Sequence, residues 1–206
     1  MTRFRSRFLF LTLLLLAGCA TSPGVAVRHI ASADVAAAYI PLRKRIHLGI
    51  DSANGAAVVI APGIAVTVGH NANLVDPRAV LGRARDYDLL FFRTGRRAQA
   101  ATVPVRAGMA VTAYGQGDAG DLRLARGLVR GLTTCPGCSA AAYFTFAADA
   151  GPGFSGGPVL DGQGRLVGIT FGYRDSGTQR LIYAYDMMRV EEELRAVLRG
   201  SATGPR

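Results

Sequence analysis

The sequence has few of the residues that metal-dependent and redox proteins use. It contains three cysteines and three histidines in 206 residues. Besides Cys19, only Cys135 and Cys138 remain, in the stretch TTCPGCSA, and two cysteines cannot supply the four ligands of a structural zinc site. The surrounding Thr, Gly and Pro residues do not suit a thioredoxin-type pair, so we expect a local disulfide at a hairpin tip. The sequence predicts neither a metal nor a cofactor.

Acidic residues are also scarce, with 14 Asp and Glu against 24 Lys and Arg and a net charge of +10. Such a basic surplus suits anionic headgroups or acidic partners. The chain has no Lys/Arg run with interleaved aromatic residues and no nucleic-acid motif, so we expect no nucleic-acid partner. Nothing in the sequence indicates an oligomeric state.

Residues 1–18 have the features of a secretory signal peptide: three arginines without an acid, then a short apolar run, LFLTLLLLAG. The run is too short for a membrane span. It ends in Leu-Ala-Gly-Cys19, which resembles the lipobox of bacterial lipoproteins. The resemblance implies cleavage before Cys19 and acylation of that residue, which gives firm membrane anchoring. Ala20 resembles the residue found in lipoproteins passed to the outer membrane, so we expect an envelope location.

We expect a lipidated N-terminus and tether at 19–39, one domain at 40–200 and a tail at 201–206. Short strand-like runs separated by turn residues fill the domain and favour a β-barrel or sandwich. Asn54-Gly55 predicts a two-residue hairpin between two of these runs. The last run, DMMRVEEELRAVLRG, has a helical apolar stripe and predicts one C-terminal helix that ends near Gly200.

A glycine-rich segment, GPGFSGGPVL at 151–160, surrounds one serine, Ser155. Glycine allows backbone N–H groups to approach a ligand, which is what an oxyanion-binding loop requires. A reactive serine also needs a base, and His70 is the best candidate, because it follows the apolar strand-like segment IAVTVG. A plain turn at 151–160 is the alternative.

Three segments in order, GAAVVIAPGIAVTVGHN, RDYDLLFFR and GPGFSGGPVLDGQGRLVGITFG, resemble the trypsin-like (chymotrypsin-fold) serine peptidases. The resemblance implies two small antiparallel six-stranded-type β-barrels with a C-terminal helix, and hydrolysis of polypeptide substrates. It implies that Ser155 is the nucleophile and His70 the general base, and that Gly153 and Ser155 donate to the oxyanion. The acid that orients His70 would be Asp88, with Asp86 as the alternative.

The resemblance also implies substrate-binding residues. Asp149, six residues before Ser155, is placed like the aspartate that selects Arg or Lys at P1, and the alternative is that it caps a turn. Thr170, Phe171 and Gly172 resemble the wall of that pocket.

The sequence departs from the family pattern in two informative ways. Phe154 stands where digestive trypsins have an aspartate that binds a new N-terminal amine, so that activation route is excluded. The short interval between His70 and Asp88 predicts a first barrel without its long loops or without a strand. These departures keep a second hypothesis open, a catalytically silent lipoprotein that binds peptides or proteins. Ester hydrolysis is a third, and no lid-like segment supports it.

Overall fold

A computed structural model describes residues 22–45, 51–134, 141–176 and 179–202. The signal peptide at 1–18, Cys19, Cys135 and Cys138 lie outside these ranges, so the lipidation and the disulfide stay predictions. Within the ranges, no helix combines the length and apolar character needed to span a membrane.

The described chain contains twelve strands and two α-helices. In chain order these are β1 (Val25–Ala26), α1 (Ala33–Ala38), β2 (Tyr39–Arg45), β3 (Asp51–Ala61), β4 (Ile64–Val68), β5 (Val80–Arg83), β6 (Leu89–Arg93), β7 (Ala110–Gln116), β8 (Leu122–Thr134), β9 (Ala141–Ala148), β10 (Pro158–Asp161), β11 (Leu166–Ser176), β12 (Gln179–Asp186) and α2 (Met187–Ala202).

The strands form two antiparallel sheets. The first sheet has the order β2-β3-β4-β6-β5. The second has the order β1-β8-β7-β10-β11-β12-β9, and a further pairing of β8 with β9 closes β7–β12 into a six-stranded barrel. The predicted trypsin-like architecture is therefore confirmed. In the residues described, the first half has five strands, in line with the shortened first barrel expected from the sequence.

The described chain has two apolar cores: the first fills the first half and extends to barrel residues such as Leu160 and Ile169, and the second lies within the barrel. Val58, Val66 and Phe91 are fully buried in the first half, and Phe144 and Phe146 are fully buried in the second. The helix α2 follows the barrel and packs on β5 of the first half and on β9 and β11 of the barrel, with Met187, Val190 and Leu194 buried in the first core. It continues through Gly200 to Ala202, slightly beyond the predicted end.

The predicted tether is wrong over its described part, because residues 22–39 pack on the domain. Val25 pairs with Leu124 of β8, and Ile30, Val35 and Ala38 are buried in the first core. Ser32 caps α1 by accepting a hydrogen bond from the Val35 N–H. The small apolar residues of this segment lack a clear period, but together they cover the core.

The start of the described chain is also fixed by polar contacts. The Ser22 hydroxyl donates to Asp118 Oδ2 at 2.9 Å, and its oxygen accepts from the Asp118 N–H at 2.9 Å. The Arg123 side chain donates to the carbonyls of Pro23 and Gly24, both at 2.7 Å. The domain therefore begins at least as early as residue 22.

The predicted hairpin at Asn54-Gly55 is also wrong, because both residues lie inside β3 and pair with Arg43 and Leu42 of β2. Tertiary contacts explain this. A Cβ at position 55 would collide with the amide of Asn71, so the glycine allows a close approach rather than a turn. The predicted Pro62-Gly63 turn does occur, with a φ of 79° at Gly63.

Candidate active site

His70 and Asp88 meet at the ends of two adjacent strands. His70 lies in a 3₁₀ turn, Gly69–Leu74, directly after β4, and Asp88 directly precedes β6. His70 Nδ1 is 2.6 Å from Asp88 Oδ2. The N–H of Gly69 donates to the Asp88 carbonyl at 3.0 Å, and a Cβ on Gly69 would collide with the Asp88 carboxylate. Of the two candidate acids, Asp88 contacts His70, and in the described residues Asp86 makes no hydrogen bond to it.

The main chain of Ser155 is attached to the first sheet, although the residue itself lies in the loop between β9 and β10. Its carbonyl accepts from the Ala56 N–H and from Asn71 Nδ2, both at 2.9 Å. Asn71 Nδ2 also donates to the buried Thr67 hydroxyl at 3.0 Å, which donates to the Ala56 carbonyl at 2.7 Å. The residue after His70 thus fixes Ser155 relative to His70.

His70, Gly153 and Ser155 line one open cavity of about 390 Å³. In the described chain, no hydrogen bond joins the Ser155 hydroxyl to the His70 ring, whose bond is to Asp88. Catalytic hydrogen bonds are often long in unliganded enzymes and shorten when substrate binds. The cavity therefore contains the residue types that serine hydrolysis requires.

Gly153 adopts a conformation that other residues rarely reach, with a φ of 86°. Its carbonyl accepts from the Gln116 N–H at 3.0 Å, and a Cβ here would collide with the Gln116 carbonyl oxygen. Throughout the described ranges, the N–H groups of Gly153 and Ser155 donate to no protein acceptor. These two donors remain available to a ligand oxygen in the cavity.

Phe154, between the two donors, is completely buried in the core of the barrel. Its side chain packs so closely on Gly115 that any Cβ there would collide with it. Its N–H donates to the Gly151 carbonyl at 3.1 Å, and its carbonyl accepts from Gly157 at 2.9 Å. A hydrophobic anchor thus holds this loop where digestive trypsins use an ion pair.

Gln116 connects the two halves, a role that no local sequence pattern indicates. Its buried side chain donates to the carbonyls of Leu42 and Gly55 in the first sheet and accepts from Arg43 Nε at 2.7 Å. Its main-chain N–H holds Gly153. A glutamine at a strand end, before Gly-Asp, is indistinguishable from a surface turn residue in the sequence.

Tyr185 on β12 supports Asp88 from the other side. Its hydroxyl accepts from the Asp88 N–H at 3.0 Å, and its ring stacks on Phe171 with centroids 4.1 Å apart. Burial raises the pKa of the Tyr185 hydroxyl, so it stays neutral at physiological pH. In the sequence, Tyr185 is one more aromatic residue of an apolar strand.

The predicted specificity residues are only partly brought together. Thr170 and Gly172 line a narrow cavity of about 10 Å³ beside Ser155, and Ala150 and Ile182 line it too. Phe171 stacks on Tyr185 instead.

Asp149 is not among the residues that line this narrow cavity. It is exposed, and it accepts a hydrogen bond from the Gly24 N–H at 3.0 Å. The prediction that Asp149 selects a basic P1 side chain is therefore wrong, because its carboxylate binds the backbone of the N-terminal segment instead. The described ranges also contain no group of three His, Cys, Asp or Glu side chains placed to hold a metal ion.

Comparisons with known proteins agree with this geometry. The model of the trypsin-like peptidase domain matches residues 48–169, more than half of the chain. No curated protein matches the sequence. The similar solved structures described next share only 16–17% sequence identity with this chain. Their similarity therefore shows the fold alone.

One similar structure is an inactive form of Rv3671c from M. tuberculosis H37Rv, with 17% identity, a TM-score of 0.62 and coverage of 89% of this chain and 99% of that one. A serine endoprotease from Yersinia pestis has 16% identity, a TM-score of 0.64 and coverage of 81% and 64%. The apo MamO protease domain from Magnetospirillum magneticum has 17% identity, a TM-score of 0.56 and coverage of 78% and 97%.

Proposed function

Because the chain belongs to the family of trypsin-like peptidase domains, we propose that it is a serine endopeptidase that acts through an acyl-enzyme on Ser155. The observation that carries the proposal is the pair of unpartnered N–H groups, Gly153 and Ser155, in the same cavity as the hydrogen-bonded His70 and Asp88. Serine hydrolysis needs this combination of base, orienting acid and oxyanion donors.

Each group then has one task. The Ser155 hydroxyl oxygen attacks the peptide carbonyl carbon while His70 takes its proton, and Gly153 and Ser155 N–H groups bind the developing oxyanion. The C–N bond breaks, and His70 gives the proton to the leaving amine. Water then attacks the acyl-enzyme by the same route and releases the acid and the free Ser155. Asp88 keeps the imidazole oriented through its 2.6 Å contact.

For specificity, we propose a small apolar residue at P1. The cavity beside Ser155 has a volume of about 10 Å³, and the buried side chains of Ala150 and Ile182 form part of its wall. This space is about that of one water molecule. With Asp149 exposed elsewhere, the cavity offers neither the length nor the carboxylate that an Arg or Lys side chain requires.

For location, we propose that Cys19 carries the lipid anchor and that the domain faces the periplasm or the exterior from the outer membrane. The support is the sequence Leu-Ala-Gly-Cys19-Ala20 after a short apolar run. Mass spectrometry of the chain isolated from membranes tests this: an N-terminal acylated Cys19 is expected. A chain that retains residues 1–18, or that begins elsewhere without a lipid, would contradict it.

The activity is tested with a fluorophosphonate on the detergent-solubilised full chain. Intact mass should show one adduct, absent in Ser155→Ala and His70→Ala, since removal of the serine or histidine of such a triad costs about 10⁶ in kcat. Peptides with Ala at P1 should then be cleaved at least tenfold faster than peptides with Arg. No adduct on the folded chain would refute the peptidase.

The second candidate is a binding module without catalysis. The observation that favours it is the lack of a hydrogen bond between Ser155 and His70 among the described residues. The same experiment separates the two functions: a folded chain that binds peptides without reacting with the fluorophosphonate is a binding module.

A further inference from the structure

A second cavity, of about 350 Å³, lies between the N-terminal segment and the turn that joins β7 to β8. We name it the arginine cavity, defined by Arg28, Ile30, Tyr39, Pro41, Arg43 and Leu122. Its volume lies in the range of small-molecule and peptide-end sites. The side chain of Gln116 lies between it and the catalytic cleft, because that residue lines both.

The arginine cavity combines positive charge with apolar walls. Arg28 and Arg43 line it, and no Asp or Glu is among its lining residues in the described chain. Ile30, Pro41 and Leu122 form apolar parts of the wall. Arginine binds a carboxylate through two parallel hydrogen bonds. The lining therefore matches a carboxylate attached to an apolar body.

Two polar groups in this cavity have unused bonding capacity. Arg43 Nε donates to Gln116, which holds the guanidinium against Gly120, but its terminal nitrogens donate to no acceptor in the described ranges. The Tyr39 hydroxyl is buried and also lacks a hydrogen-bond partner there. A buried hydroxyl without a partner is uncommon in folded proteins, whereas the guanidinium of the exposed Arg43 can donate to solvent until a ligand binds. Ligand oxygens would supply acceptors at this wall.

Strand β2 supplies one wall of the arginine cavity. Tyr39, Pro41 and Arg43 alternate along β2, which is an edge strand of the first sheet. The backbone here is largely satisfied, because the Tyr39 N–H donates to the Val35 carbonyl, the Tyr39 carbonyl accepts from Arg96 at 2.8 Å and Pro41 has no N–H. Recognition therefore rests on the side chains, a guanidinium pair beside an apolar wall.

We propose that the arginine cavity binds the C-terminal residue of a peptide that ends in a hydrophobic side chain. The carboxylate lies at Arg28 and Arg43, and the side chain lies against Ile30, Pro41 and Leu122.

Binding is measured by calorimetry on the full-length Ser155→Ala chain, so the result does not depend on peptidase activity. The probe is the acetylated peptide Gly-Gly-Gly-Leu with a free carboxylate, and its C-terminal amide is the matched control. We expect the acid to bind at least tenfold more tightly than the amide, because a charge-assisted hydrogen bond is lost in the amide. Equal affinities would overturn the proposal.

Arginine variants locate the bound probe. Arg28→Gln should weaken binding of the acid about tenfold, and Arg43→Gln should do the same if it folds. Arg174→Gln, which removes an exposed arginine on β11 outside this cavity, should leave the affinity unchanged. An equal effect of Arg174→Gln would mean diffuse attraction, and insensitivity to Arg28→Gln would mean binding elsewhere, such as the catalytic cleft. Either result overturns the proposal, as does binding of octanoate but not of the peptide acid.

Discussion

The main-chain N–H of Asp88 donates its hydrogen bond to the hydroxyl of Tyr185, 3.0 Å away on a strand of the other half of the molecule. The Asp88 carboxylate is itself 42% exposed and contacts His70. The position of the carboxylate therefore depends on how its backbone is held. Tyr185 also stacks on Phe171. Two residues of the barrel therefore help to position Asp88, which lies at the end of a strand of the first sheet.

Tyr185→Phe should slow the reaction while leaving the ring packing in place. The partly buried Asp88 N–H would lose its acceptor, which costs less than the roughly 1–3 kcal/mol of a fully buried donor. We expect the second-order rate constant for phosphonylation of Ser155 to fall about tenfold, since a small misplacement of catalytic groups is costly. Tyr183→Phe removes a hydroxyl from the same strand and should have no effect. Equal effects of the two variants would rule out a positioning role for Tyr185.

Gly153→Ala should abolish most of the reactivity of Ser155. A side chain is strained at a φ of 86° and would collide with the Gln116 carbonyl, so the Gly153 N–H must move. Loss of one oxyanion donor costs about 10²–10³ in kcat, and the phosphonylation rate should fall by at least a hundredfold. Gly162→Ala, where a Cβ meets nothing, is the control. A near-normal rate in Gly153→Ala would exclude this residue from the oxyanion site.

Phe154→Ala should destabilise the fold and the loop together. Removal of a fully buried phenylalanine costs about 3–5 kcal/mol, and here it removes the anchor between the two oxyanion donors. Urea unfolding should show the loss, and the folded variant should react slowly with the fluorophosphonate. Phe154→Leu should keep much of both properties. If Phe154→Ala kept normal reactivity, the loop would be held by its hydrogen bonds alone.

Asp149→Ala should leave the P1 preference unchanged. Asp149 is exposed and holds Gly24, so its loss should lower the free energy of unfolding by about 0.5–1.5 kcal/mol and expose the chain near Pro23 to added protease. The ratio of cleavage rates for peptides with Arg and Ala at P1 should not change. A tenfold fall in that ratio would restore Asp149 to the specificity pocket.

Asp161 should contribute to stability in a pH-dependent way. Burial raises the pKa of this carboxyl, but hydrogen bonds from Arg165 and from the Gln163 N–H lower it more, so the net shift is downward. Because the pKa of Asp161 is lower in the folded chain than in the unfolded chain, its ionised carboxylate stabilises the fold at pH values above the ordinary pKa of about 3.9. This stabilisation is lost as the pH falls through the pKa of the folded state. Asp161→Asn should therefore be less stable than the wild type at pH 7 in urea, and the difference should shrink below about pH 4. Asp175→Asn, at a 77% exposed carboxylate, should change little at either pH.

The sequence predicts the residues whose chemistry leaves a local pattern. Ser155 lies among glycines that the oxyanion loop needs, and His70 and Asp88 each lie directly beside a short apolar strand. Asn71, Gln116 and Tyr185 leave no such pattern. Their roles depend on carbonyls and N–H groups that only the folded chain brings near them. Positioning residues of this kind are set by tertiary structure.

The two wrong local predictions have a common cause. Asn54-Gly55 has the composition of a hairpin turn, and residues 22–39, the described part of the predicted tether, have that of a linker. In both places another part of the chain packs closely against these residues. The Asn71 amide lies against Gly55, and Val35 and Ala38 are buried in the first core. Small residues at packed positions and small residues in turns look alike in a sequence.

Ser22, the first residue described, bonds to Asp118, and Asp118 lines the proposed catalytic cleft. Only two residues separate Ser22 from Cys19, a span of roughly 10 Å when extended. An acylated Cys19 would therefore keep the rim of the cleft almost at the bilayer surface. Such an enzyme would then select peptide bonds by their distance from the membrane as well as by the sequence around them. Flexible segments next to the membrane would be cut, and the same residues presented far from it would not.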